Sequence, residues 1–270
     1  MNLYNEITAF YENYRGEKRI IGRSSEGRNL YALFVGSREG KIGLCQYAIH
    51  AREWITAFLA IEHIRIGAPR GGVWFLPLMN PDGAELCREG LQSIAKERRM
   101  RLLKLNEGED FSLWKANAEG VDLNVNFPAR WGTGASNIRT PAPENYIGEA
   151  PLSAPESRAL AQFTRAVSPA FTVSYHTKGE EIYWRFHQPP LRAARDKKLA
   201  MLLSKSTGYP LKEAPRSAGG YKDWCVQKLK IPAFTVEAGR DSAPHPLGMV
   251  HFSDILRKNG EAISDLCKGF

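Results

Sequence analysis

The stretch "QYAIHAREWITAF", residues 46–58, ends an apolar run on His50 and sets Glu53 three residues later, where a helical pattern begins. That spacing lets an imidazole and a carboxylate point to one side of a turn and share an ion. Alone the pair is weak, since His and Glu three apart arise by chance and more often make surface contacts. A zinc hydrolase site built from two histidines and a glutamate keeps a fourth position for water, so another ligand must come from elsewhere in the chain. His176 is the leading choice, because it ends "FTVSYH" as His50 ends "GLCQYAIH". His63 falls on a helical stripe, His187 and His245 sit in loops beside glutamine or proline, and His251 opens the last helix. Packed or solvated roles suit these four better.

A water on such a metal needs a base, and Glu237 in "PAFTVEAG" ends another apolar strand. A carboxylate there is costly unless it is paired or used, although a strand-end glutamate facing solvent has the same pattern. Asp122 in "GVDLNVNFP" could accept a hydrogen bond from the non-coordinating nitrogen of His50, or be a plain turn aspartate.

These residues need a frame that brings strand ends together. Strand-like runs at 30–35, 42–48, 73–78, 171–175 and 233–236 alternate with helical patterns, which predicts an α/β fold. Apolar Trp54, Ile55, Phe58, Leu59 and Ile61 cover one helical face after Glu53, and 191–204 and 249–266 read as further helices. In open α/β sheets the carboxyl edge of the strands binds ligands. The segment 130–156, rich in Gly, Pro, Ser and Asn, is long for a connection and is expected to shape that site. Neither an internal repeat nor a second-domain boundary is visible, so 1–270 reads as a single domain.

The formal charge of +8 favours an anionic partner, and much of it lies in "KERRMRLLK", residues 96–104. Without a nucleic-acid module or interleaved aromatics, a solvated helical face is preferred to nucleic-acid binding. Cys45, Cys87, Cys225 and Cys267 lie far apart and predict free thiols. The first 14 residues show neither a secretion signal nor a membrane span, so a cytoplasmic location without membrane contact is expected.

In order, "HAREW", "NPDG", "LWKAN", "GVDLNVNFP", "SYH" and "TVEAG" resemble the zinc metallocarboxypeptidase family, the carboxypeptidase A-like peptidases, from about residue 42 to the C-terminus. The resemblance implies a three-layer α/β/α fold on a mixed, roughly eight-stranded sheet, with one zinc per chain held by His50, Glu53 and His176. It gives Glu237 the general-base position, and Lys115 the place of an arginine that polarises the scissile carbonyl. Arg52 and Asn124 match positions that line the substrate cleft.

Two departures from the family narrow the expected substrate. Val125 stands where digestive relatives carry an arginine that grips the terminal carboxylate, and Pro215 where they carry a mobile tyrosine; Tyr221, near but not equivalent, is counted among the substrate-binding candidates. Within the family, "NFPARW", the Pro-rich loop and "GGYKDW" are most similar to bacterial γ-D-glutamyl-diaminopimelate peptidases. That likeness implies cleavage of the amide between D-glutamate's side-chain carboxyl and diaminopimelate in murein peptides. Arg130 and Arg139 are candidates for holding a substrate carboxylate, and Lys222 aligns with the floor of the leaving-residue pocket. The competing readings are a general metallocarboxypeptidase or deacylase releasing an acidic residue, and a catalytically silent, zinc-dependent muropeptide-binding protein.

Overall fold

In the computed structural model, which describes residues 2–68 and 70–269, eight strands form one mixed sheet. They are β1 (Lys18–Arg23), β2 (Asn29–Gly36), β3 (Ile42–Tyr47), β4 (Gly72–Leu76), β5 (Phe171–His176), β6 (Glu181–Tyr183), β7 (Leu211–Lys212) and β8 (Ala233–Glu237). The spatial order is β1-β2-β4-β3-β5-β8-β6-β7. The middle four, β4, β3, β5 and β8, are parallel, and antiparallel pairings flank them. Strands β4 and β5 are buried along their whole length, as expected for parallel strands covered on both faces.

One face carries Tyr47, Phe75, Val173, Tyr175 and Phe234. It packs against α1 (Leu3–Asn13), α2 (Ile55–Ile66), α6 (Pro190–Thr207), α8 (Phe252–Asn259) and α9 (Ala262–Cys267). The other face, with Leu44, Trp74, Leu76 and Ala233, meets α5 (Pro155–Val167) and α7 (Tyr221–Trp224), which continues as a π-helical turn over Cys225–Leu229. A smaller cluster of Leu86, Leu102, Phe111 and Trp114 joins α3 (Pro81–Glu89), α4 (Lys96–Asn106) and the loop after it. The result is the expected α/β/α layering.

All five anticipated strands form within two residues of their predicted ends. The three that the sequence does not reveal lie toward the sheet's edges: half of β1 is charged and it carries Gly22, and β6 and β7 have three and two residues. The helix expected over 249–266 is divided into a 3-10 turn (Met249–His251), α8 and α9, with Gly260 between the last two. The basic run forms α4, whose Arg98 and Arg101 both pair with Glu119. The four cysteines are free.

Candidate active site

His50 follows β3, His176 ends β5 and Glu237 ends β8, and these three strands are parallel neighbours. All three side chains therefore reach the same edge of the sheet. From β3 the chain moves to β4 on one side, whereas from β5 it reaches β8 on the other. The gap between β3 and β5 is thus the crevice where such sheets bind ligands.

Local hydrogen bonds fix the turn that carries the first two residues. The Thr56 hydroxyl donates to the Glu53 carbonyl and accepts from the Ala48 amide, clamping the 3-10 turn Ala51–Glu53 against the strand end. Asn80 of "NPDG" caps α3 by accepting from the Gly83 amide, and its NH2 donates to the carbonyls of Ile49 and Ala116. The motif thereby ties the neighbour of His50 to the neighbour of Lys115. A side chain at Gly83 would meet the Ala116 carbonyl at 2.4 Å, so glycine is required there.

His50 Nδ1 lies 2.9 Å from Glu53 Oε1, His176 Nδ1 lies 2.9 Å from Glu53 Oε2, and the two Nδ1 atoms are 3.1 Å apart. All three residues are buried. These separations approach the roughly 3.3 Å edges of a tetrahedron with bonds of about 2.0–2.1 Å, so two imidazoles and a carboxylate fit a divalent cation such as zinc. Burial opposes charge on Glu53, but the two imidazoles hold its carboxyl far below the usual range. For His50, burial is outweighed by Glu53 and Asp122, and its pKa is raised.

Asp122 approaches His50 Nε2 at 3.2 Å, an ion-pair distance without hydrogen-bond alignment. Its carboxylate also accepts from the Asn124 and Asn145 amides and pairs with Lys115 Nζ at 2.8 Å. Burial disfavours that charge, yet the Lys115 ammonium and the His50 ring hold Asp122 well below the normal carboxylate range. Burial works against the Lys115 ammonium too, and Asp122 more than offsets it, so Lys115 stays charged.

Glu237 faces the same cleft as His50 and Lys115, and its carboxylate makes no hydrogen bond among the described residues. Burial, with the Glu53 charge nearby, outweighs the pull of His176 and pushes its carboxyl up to about 7. A carboxyl poised there can take and return a proton near neutral pH.

The cleft, about 520 Å³, is lined further by Asn124, Val125, Asn145 and Arg216 and by the tip of the 130–156 loop. Asn124 Oδ1 accepts from the Tyr221 amide. Asn126 anchors the long loop by donating to the carbonyls of Ile147 and Ala150. Arg130 borders an adjoining cavity and donates to His187 Nε2 at 2.8 Å. Arg139 and Arg52 lie outside the cleft lining: Arg139 reaches only the Gly132 carbonyl, and Arg52 contacts the Leu113 carbonyl and Glu144.

Two expectations are corrected. Tyr221 is fully buried, with its hydroxyl on Thr164 Oγ1, and does not reach the cleft. Lys222 is 9% exposed, and its ammonium is already matched by Asp223 at 2.6 Å and by the Arg185 carbonyl at 3.1 Å. It is therefore neither a helix-surface lysine nor a free cation on the pocket floor. A second cation that lines the cleft beside Lys115, Arg216, was not singled out from the sequence, although "APRSAGG" carries turn residues that mark it as a loop tip. His63 bonds the Tyr47 hydroxyl and the Asn259 carbonyl in the core.

Residues 72–262 match the family model described as zinc carboxypeptidase, a span that begins after His50 and Glu53. The chain is 34% identical over 267 residues to gamma-D-glutamyl-L-diamino acid endopeptidase 1 of Lysinibacillus sphaericus. That match covers 92% of this chain, which spans 66% of the relative's length. Among solved structures, bovine thrombin-activatable fibrinolysis inhibitor superposes with a TM-score of 0.79 at 20% identity, over 100% of this chain and 96% of that one. Murein-tripeptide amidase MpaA from Escherichia coli O157 superposes with a TM-score of 0.63 at 24% identity, over 96% and 95%. At these identities both structures speak to the fold.

Proposed function

Because the chain belongs to the zinc carboxypeptidase family, we propose that residues 1–270 act as one peptidase domain that hydrolyses the γ-D-glutamyl–diaminopimelate amide of murein peptides. The observation that carries this substrate is Val125 on the cleft wall. An apolar side chain there cannot make the paired hydrogen bonds that a C-terminal carboxylate needs, so ordinary trimming of protein C-termini is disfavoured. The similarity to an enzyme named for a γ-D-glutamyl bond to a diamino acid points the same way.

Zinc, bound by His50, Glu53 and His176, supplies Lewis-acid chemistry, lowering the pKa of water and polarising a carbonyl. Glu237 removes a proton from the attacking water and passes it to the departing amine. Lys115, held in place by Asp122, presents its ammonium to the oxygen on which negative charge develops. Asp122 also orients the His50 ring through Nε2, leaving Nδ1 for the metal. Asn124 offers its amide to the peptide. A base and an oxyanion cation in one cleft favour catalysis over silent binding.

No helix among the described residues is long and apolar enough to cross a membrane. Four free thiols fit action in the cytoplasm. The proposal is tested by giving the zinc-loaded protein matched glutamyl-diaminopimelate peptides, one γ-linked and one α-linked, and weighing the products. Release of diaminopimelate from the γ-linked peptide alone is expected. Preferential cleavage of the α-linked peptide would identify a general carboxypeptidase instead.

A further inference from the structure

The cleft continues past Arg216, Ser217, Ala218 and Ala135 into a second cavity of about 260 Å³ bordered by Arg130 and His187. The main chain at this junction is pinned on both sides. Ala135 N–H donates to the Arg216 carbonyl, Gly219 N–H to the Ala129 carbonyl, and Phe127 N–H to the Gly219 carbonyl. Gly219 has φ +88°, and a Cβ there would lie 2.8 Å from the Val125 carbonyl, so the loop approaches the cleft wall as closely as a glycine permits. The Arg216 side chain, by contrast, makes no hydrogen bond or ion pair among the described residues.

Charge bookkeeping around the two cavities leaves a clear imbalance. Lys115 is neutralised by Asp122 and Lys222 by Asp223. Arg130 is bonded to an imidazole nitrogen, not to a carboxylate. Glu237 is the one carboxylate lining the catalytic cleft among the described residues, and none lines the second cavity. A fixed loop therefore presents an unmatched guanidinium at the junction, beside a second cation that also lacks an acidic partner. Asn124, Asn145 and Ser217 nearby are neutral donors and acceptors suited to an amide backbone.

We propose that Arg216 is the specificity-determining residue of this site and binds a carboxylate remote from the scissile amide, at the far end of the leaving diamino acid. The inference rests on the reaction proposed above. A guanidinium fork matches a carboxylate in two parallel hydrogen bonds, which a substrate lacking that group cannot form. Because Lys222 is paired with Asp223 and Arg130 is bonded to His187, Arg216, whose side chain makes no such contact, holds the positive charge free for this contact. Diaminopimelate carries such a carboxylate, and lysine at the same position carries only the amine.

The test compares kcat/KM for γ-D-glutamyl-diaminopimelate and γ-D-glutamyl-lysine peptides in the zinc-loaded wild type, Arg216→Gln, Arg216→Lys and Lys222→Gln, with zinc content and melting temperature recorded for each. The wild type is expected to prefer diaminopimelate, and Arg216→Gln to reduce that preference about tenfold or more, chiefly through KM. Arg216→Lys should restore part of it. An unchanged ratio in a folded, zinc-replete Arg216→Gln protein overturns the assignment, as does loss of preference in Lys222→Gln alone. A wild type that cleaves neither peptide refutes the reaction itself, and this inference with it.

Discussion

His50 and His176 each close an apolar run and Glu53 follows His50 by three residues, so the sequence offers these three as a candidate ligand set. Their donor atoms lie 2.9–3.1 Å apart, and this closeness sets the first prediction. His176→Ala should lose most bound zinc in elemental analysis, whereas changes at His187 or His245 should not; equal loss in all three would break the ligand assignment. Glu237→Gln should retain zinc and substrate affinity while kcat falls about 10²–10⁴-fold, the usual loss with a general base. Near-normal turnover would remove Glu237 from the mechanism. Lys222 shows where residue-scale reading stops. Its position along the chain places it near the pocket, but its charge is cancelled by the adjacent Asp223, and only the helical geometry of α7 reveals that pairing.

At the scale of elements, the central strands were legible because burial on both faces makes them continuous apolar runs. Edge strands and α1, where only Leu3 and Ile7 are buried, lack that signature. The "NPDG" turn carries a testable load, since Asn80 bridges the segments bearing His50 and Lys115. Asn80→Ala should lower stability by about 1–3 kcal/mol, because two buried carbonyls lose a donor, and should reduce kcat more than it changes zinc content. Unchanged melting and turnover would contradict the bridge.

A second element-scale test concerns Glu156 at the start of α5, which is buried and accepts from Ser25 and Asn117. Burial, with the charge of Asp82 nearby, pushes its carboxyl up to about 7. A raised folded-state value favours the neutral form in the fold. Its contribution to stability is therefore fully present below the unfolded value and is lost as pH rises through about 7. Glu156→Gln stays neutral, so its stability relative to the wild type should climb between the unfolded carboxylate range near pH 4.5 and about pH 7, by at most about 1.4 kcal/mol per unit, and level off above that. A melting difference that does not vary with pH would contradict this.

Across the whole molecule, the excess of 37 basic over 29 acidic residues is distributed in two ways. On α4 it is compensated by Glu119 and solvent, and around the cleft mouth it is left unmatched at Arg216. The sheet brings three strand ends to one edge, while the 130–156 loop and the 214–219 loop enclose the substrate volume above them. Sequence patterns located the edge and the long loop. They did not show which loop cations face inward, because that depends on backbone pairing between segments some eighty residues apart. The most direct measurement adds zinc stepwise to chelator-stripped protein and follows hydrolysis of a defined γ-D-glutamyl-diaminopimelate peptide by mass spectrometry. Activity that rises and levels at one zinc per chain, with the cut at the γ-amide, is the predicted result; hydrolysis indifferent to zinc, or a γ-amide left intact at full loading, would contradict the account.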